Sequence, residues 1–237
     1  MRSSRAAALF LGVALLGGTA QASDWEYRVV PYVWDPTLEV GFALGQNIPV
    51  GSDTSIFNIL DGMFLIAGDA RNGPWTISGE FNYLDLSDSF ATGNTGIAAS
   101  WEMEGIMASL GGAYALSDQN GTRVEVLAGL RAWDLNPSTT VARRTVSANA
   151  NWIDPLIGGR ISRNINDRLS LSGMANVGGF GWGSKFQWEA LAELNWVHSD
   201  RIDFVGGYRH LTVEFEELGT DVDLTLTGPY VAVAFKF

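Results

Sequence analysis

The chain of 237 residues holds two histidines, His198 and His210. Glu214 stands one strand repeat beyond His210, with Thr212 between them. An imidazole, a hydroxyl and a carboxylate in one stretch could carry general acid–base chemistry, and hydrolysis is the reaction class they would serve. The plainer reading is a pair of wall histidines, His198 beside a turn and His210 inside a strand. Gly178-Gly179-Phe180-Gly181-Trp182-Gly183-Ser184-Lys185 has the glycine content of a phosphate cradle. It lacks the G-K-[ST] order and no helical pattern follows, so it reads as a flexible hairpin loop. Glu214, Glu216, Glu217, Asp221 and Asp223 offer oxygens to calcium without a defined ligand spacing, which leaves a solvated acidic loop. Arg143-Arg144 suits contact with lipopolysaccharide phosphates if its loop lies at an outer surface. There is no cysteine, which excludes disulfides and thiolate-bound metal. No metal and no cofactor are expected.

A second set of chemically active side chains stands opposite rows of apolar residues. It comprises Glu26, Arg28, Asp69, Arg71, Glu80, Glu125, Arg131, Asp154, Arg160, Arg168, Glu189, Glu193 and Arg209. Both signs are present, so these groups can neutralise one another. If they all point into one closed wall, they form either a plug or the lining of a narrow wet channel.

The elements that must position them are β-strands. At the C-terminus Val231, Val233, Phe235 and Phe237 share one face at period two, against Tyr230, Ala232, Ala234 and Lys236. Val124 to Ala132, Ile153 to Ile161, Leu169 to Val177 and Phe186 to Trp196 alternate in the same way. Asn72-Gly73, Asp118 to Gly121, Asn164 to Asp167 and Ser199-Asp200 are short turns, the first the strongest hairpin signal in the chain. The connections near Gly45, Ser87, Leu135, Gly178 and Glu216 are mostly longer. Pro31 removes a ladder donor, so the first strand should bend or bulge there and resume at Leu38. Ile56, Ile59 and Leu60, with Asp53 as a possible N-cap, suggest a short helix near 55–61, or else a self-packed loop. Within Ile97 to Leu116 the apolar set changes parity after Gly105, for which a bulge would account. The pattern gives about ten strands (8–12), an even number.

Arg2 and Arg5, an apolar core from Ala6 to Leu16, and Ala20-Gln21-Ala22 form a cleaved signal peptide over 1–22, leaving 23–237 as one domain. Without Arg2 and Arg5, 13 basic residues face 26 acidic ones, a net charge near −13. So acidic a chain is no candidate for nucleic-acid binding. Trp25, Tyr27, Trp75, Trp101, Tyr114, Trp188, Trp196, Phe204, Phe235 and Phe237 lie near strand ends, where lipid–water girdles want amphipathic rings.

The signal segment, the alternating strands, Gly207-Tyr208-Arg209-His210, and Gly228-Pro229 leading to Phe235-Lys236-Phe237 resemble small Gram-negative outer-membrane β-barrels, the broad group of the OmpA membrane anchor and OmpW-like proteins. The resemblance implies an all-β, closed antiparallel up-and-down transmembrane barrel with both termini in the periplasm. Val233, Phe235 and Phe237 would then be the C-terminal signal read by the barrel-assembly machinery. Outer-membrane lipids and lipopolysaccharide are the expected surroundings. The expected role is structural or that of a small-solute channel, without enzymatic activity. The alternatives are an outer-membrane hydrolase that modifies lipid or peptide, using His210, and surface adhesion through the loops near Ser87, Leu135 and Glu216. A soluble barrel or sandwich with the apolar rows turned inward is the competing fold.

Overall fold

The computed structural model describes residues 25–42, 46–48, 59–92, 97–217 and 220–237. Its strands are β1 (Glu26–Trp34), β2 (Thr37–Phe42), β3 (Gln46–Ile48), β4 (Leu60–Asn72), β5 (Trp75–Thr92), β6 (Ile97–Gln119) and β7 (Thr122–Val141). They continue as β8 (Arg144–Ser147), β9 (Ala150–Asn166), β10 (Leu169–Gly178), β11 (Phe186–Val197), β12 (Ile202–Glu217) and β13 (Thr220–Lys236). All pairings are antiparallel, and β1 pairs with both β4 and β13, which closes the sheet on itself. With β1 and β2 taken as one interrupted strand, the wall has ten strands; β3 and β8 extend it as short hairpin partners of β2 and β7. Over the stretch up to Pro31, where β1 pairs on both sides, closure leaves the wall no free edge, which an isolated apolar-faced sheet could not avoid.

The first strand keeps one register through Pro31. Arg28 pairs with Lys236, Trp34 with Tyr230 and Thr37 with Thr227. The expected bulge at Pro31 is therefore absent. The interruption falls at Asp35-Pro36 instead, where the Asp35 amide still donates to the Pro229 carbonyl at 3.0 Å. Gly228 makes room for it, since a Cβ there would lie 2.1 Å from the Asp35 carbonyl oxygen. Pairing between β1 and β4 does end at Pro31, opposite Ile66.

The bulge expected at Gly105 is also absent. The β5–β6 register runs unbroken from Trp75↔Tyr114 through Leu84↔Gly105 to Thr92↔Ile97. What changes at Gly105 is the environment. Leu110 and Tyr114 point outward and are exposed, whereas Met107 is buried, as are Leu86 on β5 and Trp133 and Leu135 on β7. Glu102 and Glu104 then occupy the outward positions. The same reversal occurs on β13, from outward Val231 and Phe235 to inward Leu224 and Leu226, and on β12, from outward Phe204 and Tyr208 to inward Leu211, Val213 and Phe215. The barrel thus has two parts. At the end carrying Tyr27 and Phe237 it is apolar outside and polar inside. Towards the other end it is polar outside, with an apolar core of Trp34, Leu38, Leu65, Leu86, Met107 and their neighbours.

Three connections expected as loops are strand. The polar stretch from Ser87 is β5 as far as Thr92, the segment from Leu135 to Ser147 is the β7–β8 hairpin, and 214–217 belongs to β12. Trp101 belongs to the inner core and not to an outer girdle. The helix expected near 55–61 lies outside the described residues up to 58, while Leu60 and Asp61 are already β4. The segment 1–22 also lies outside the described residues.

Candidate functional site

Where the two parts meet, polar side chains from most of the wall strands converge on the lumen. The Tyr32 hydroxyl on β1 lies 2.5 Å from both the Glu80 carboxylate and the Asn82 amide oxygen on β5, its one proton shared between them. Arg209, from β12 on the far wall, forms a two-pronged contact with Glu80, its Nη2 3.1 Å from Oε2. The same guanidinium meets Glu189 of β11 at 2.7 Å. Glu189 is shared with Arg131 of β7 and accepts from Asn176 of β10 at 2.8 Å. Arg131 also donates to Ser109 of β6 at 3.0 Å and to the Gln187 side chain at 3.1 Å. Two arginines thus balance two glutamates. Such charges are tolerable away from water only when paired and hydrogen-bonded, as these are.

Gln187 extends the chain to Asp154 on β9 at 2.6 Å. Asp154 is fully buried and receives three further donors: the Ser184 amide (2.7 Å), the Ser184 hydroxyl (2.8 Å) and the Trp152 indole (2.8 Å). No cation neutralises it among the described residues; four neutral donors hold it. One face of the belt is capped by aromatic carbon. The Arg209 guanidinium lies 4.8 Å over the Trp34 ring, and Trp133, Trp152 and Phe215 stack above it.

On the side of the termini the belt is the ceiling of a cavity of about 1250 Å³. Its lining carries separate polar pairs: Arg28–Asp69 (2.8 Å), Lys236–Asp203 (2.6 Å) and Tyr230–Glu193 (2.6 Å). On the opposite side lies a cavity of about 40 Å³, lined almost wholly by apolar groups.

Of the thirteen charged positions read from the sequence, Glu80, Arg131, Asp154, Glu189 and Arg209 stand in the belt. Arg28, Asp69, Arg71, Arg160 and Glu193 line the wide cavity. Glu125 is buried beside Arg123 (3.0 Å) and Arg160 (3.7 Å) and accepts from Thr76. Glu26 stands at the rim of that cavity, and Arg168 occupies the exposed turn after β9, outside the lumen. Tyr32, Asn82 and Gln187 escaped the sequence reading, because neutral polar residues on an inward face carry no charge signal; Ser184 reads there only as part of the glycine-rich loop. Val233 and Phe235 point outward on β13, and Phe237 pairs with Tyr27 through two backbone hydrogen bonds.

His210 lies on the outer surface under Trp188, ring centroids 4.3 Å apart, and bonds to Thr227 (2.6 Å) and Thr212 (3.1 Å). Among the described residues its hydrogen-bond partners are these two threonines and no carboxylate. Glu214 and Glu216 directly oppose Asp223 and Asp221 across β12–β13. Lys185 bridges Glu216 (3.6 Å) and Asp221, and the hydrogen bond to Asp221 raises its pKa above the usual lysine value. Among the described residues no three His, Asp or Glu side chains converge as a metal site would require. Arg143 and Arg144 are exposed at the β7–β8 tip.

No protein-family model matches the chain, and no curated protein sequence matches it. Among solved structures it is similar to the translocator domain of the autotransporter NalP from Neisseria meningitidis, with 13% identity over 89% of this chain and 88% of that one, at a TM-score of 0.53. The outer membrane protease OmpT from Escherichia coli shares 8% identity over 93% and 99% of the two chains, at 0.49. Ail, the attachment invasion locus protein of Yersinia pestis, shares 7% over 90% and 98%, at 0.39. The fold is that of the outer-membrane β-barrels, and at these identities the likeness speaks for the fold alone.

Proposed function

We propose that this chain is an integral outer-membrane barrel that does not conduct, a structural element whose lumen is sealed at the Arg131–Glu189–Arg209–Glu80 belt. That belt is the observation that carries the reading. A channel needs a continuous wet path, and here the wide cavity ends at fixed ion pairs backed by an apolar core.

The outward apolar band supports the membrane placement. On β6 it runs from Ile106 to Leu116 and on β13 from Pro229 to Phe237, close to the ~9–11 residues a tilted transmembrane strand needs. Beyond the band the strands stand in water, which is why their outward residues turn polar and their inward ones apolar. The short turns and the termini then face the periplasm, and the projecting hairpins face outward. Lipopolysaccharide surrounds the projecting base, and the assembly machinery reads the Val233, Phe235, Phe237 strand. A second reading, surface adhesion, is favoured by one feature: the regions near Ser87, Leu135 and Glu216 are paired strands and so present a fixed surface. Among the described residues His210 faces outward and is bonded to threonines, which lends the hydrolase reading no support.

Planar-bilayer recording on the purified, refolded protein tests the proposal. The expected result is a silent membrane from protein that migrates as heat-modifiable. Steady stepwise conductance would overturn the sealed-lumen reading, and monomeric folded protein in buffer without surfactant would overturn the membrane reading.

A further inference from the structure

The loop between β10 and β11 displays two large aromatic side chains that the fold itself does not use. Trp182 is 82% exposed and Phe180 is 55% exposed. Phe180 has a φ of 54°, in the left-handed region, between Gly179 at 85° and Gly181 at 74°. A bulky side chain is held there only when its surroundings dictate the backbone. They do so here. The Gly179 amide donates to Pro155 at 3.2 Å, Trp182 to Gly179 at 2.9 Å, and Ser184 is bound twice by the buried Asp154 carboxylate. Gly183 presses on β9 so closely that a Cβ would meet the Ile153 carbonyl at 2.7 Å. This loop is therefore a fixed platform, contrary to the flexible loop expected from its glycines.

The platform sits where the outward apolar band ends. Val177 is the last outward residue of β10, Phe186 the first of β11, and both are apolar and exposed, as is Ile153 on the neighbouring strand β9. Most other wall strands continue past this point into the part with a polar exterior, but β10 and β11 stop here. Phe180 and Trp182, both exposed, follow directly on the end of this band at a low point of the rim. The one cation of the loop, Lys185, is turned to Glu216 and Asp221.

We infer that Phe180 and Trp182 form a rigid interfacial anchor that dips into the lipid surface beside the barrel and fixes its depth and tilt. The partner is the glycerol and upper acyl region of the surrounding bilayer, which suits an indole and a phenyl ring together. This rests on the membrane placement proposed above.

Because the chain has no cysteine, a single introduced thiol can be labelled cleanly. Nitroxide labels are placed at Trp182→Cys and, separately, at Leu130→Cys in mid-band, and the full chain is reconstituted in dioleoylphosphatidylcholine vesicles. Collision with oxygen is compared with collision with a water-soluble nickel chelate. The anchor predicts oxygen-favoured collision at both sites, deeper at 130. A chelate-favoured label at 182 beside an oxygen-favoured one at 130 would overturn the anchor and leave the membrane placement standing. Chelate-favoured labels at both would remove both. A Trp182→Phe chain should keep the vesicle-bound fold, and its lost emission should be the part that shallow-brominated lipid quenches in the unmodified protein; emission quenched by aqueous iodide and not by bromolipid would also overturn the anchor.

Discussion

The Arg209 guanidinium lies 4.8 Å over the Trp34 ring, so the last charged layer of the lumen is in direct contact with the first apolar one. The contact explains how two incompatible interiors share one wall. Cation–π attraction lets Trp34 cover the guanidinium face while the Nη atoms serve Glu80 and Glu189. Arg209→Ala leaves both carboxylates short of a partner in a buried place. The expected loss is about 3–5 kcal/mol, as for other half-broken buried pairs. Arg209→Lys should recover part of it at most, because an ammonium cannot make the same fork. Urea unfolding in vesicles measures both. A double-mutant cycle with Glu80→Gln should show strong coupling; additive losses would mean that the two groups do not interact as drawn.

The reversal of polarity along each strand gives a sharper test. Leu110 and Glu102 both point outward on β6. Leu110→Arg should cost about 2–4 kcal/mol, the cost of a cation near the bilayer midplane. Glu102→Arg should fall within about 0.5 kcal/mol of the unmodified protein, as surface changes in water do. Equal costs at the two sites would place the lipid boundary elsewhere.

The apolar core of the projecting part should behave like that of a water-soluble protein. Leu211 is 1% exposed, inside this core, whereas Leu130 is 55% exposed on the outer band. Leu211→Ala should cost about 2–5 kcal/mol, since it leaves a cavity in a packed interior. Leu130→Ala should cost less, because lipid chains can fill the space. The comparison is read from unfolding free energies in the same vesicles.

Most of the wall was legible in the sequence, and the reason is the period of two. Where one face meets lipid and the other a polar lumen, as in Val124 to Ala132, alternation is clean and strand, turn and pairing follow. The same signal failed at Gly105, since a one-residue insertion and a change of surrounding medium produce the same shift of parity. The two differ in recurrence. A bulge is local, yet the parity also turns over between Ala132 and Leu135 on β7, Tyr208 and Leu211 on β12, and Leu226 and Val231 on β13. The belt was half legible: charge marked Glu80, Arg131, Glu189 and Arg209, but nothing local shows that residues so far apart along the chain converge. Tyr32 and Gln187 take their roles from register alone.

Gly228 tests how the barrel closes. Its ideal Cβ would lie 2.7 Å from the Pro36 Cα as well as 2.1 Å from the Asp35 carbonyl oxygen. Neither neighbour is the movable end of a flexible side chain. The Gly228 carbonyl also accepts the Trp34 indole N–H at 3.2 Å, so a displaced Gly228 would shift the ring that covers Arg209. Gly228→Ala should therefore cost about 1–3 kcal/mol through overpacking, and Gly228→Val more. Both should lower the fraction of protein that reaches the heat-modifiable form. Gly206, where a Cβ would meet nothing within 4 Å, is the control on the adjoining strand. Gly206→Ala should fold as the unmodified chain does. If Gly228→Ala folds equally well, β1 and β13 do not meet at Asp35-Pro36 as closely as described.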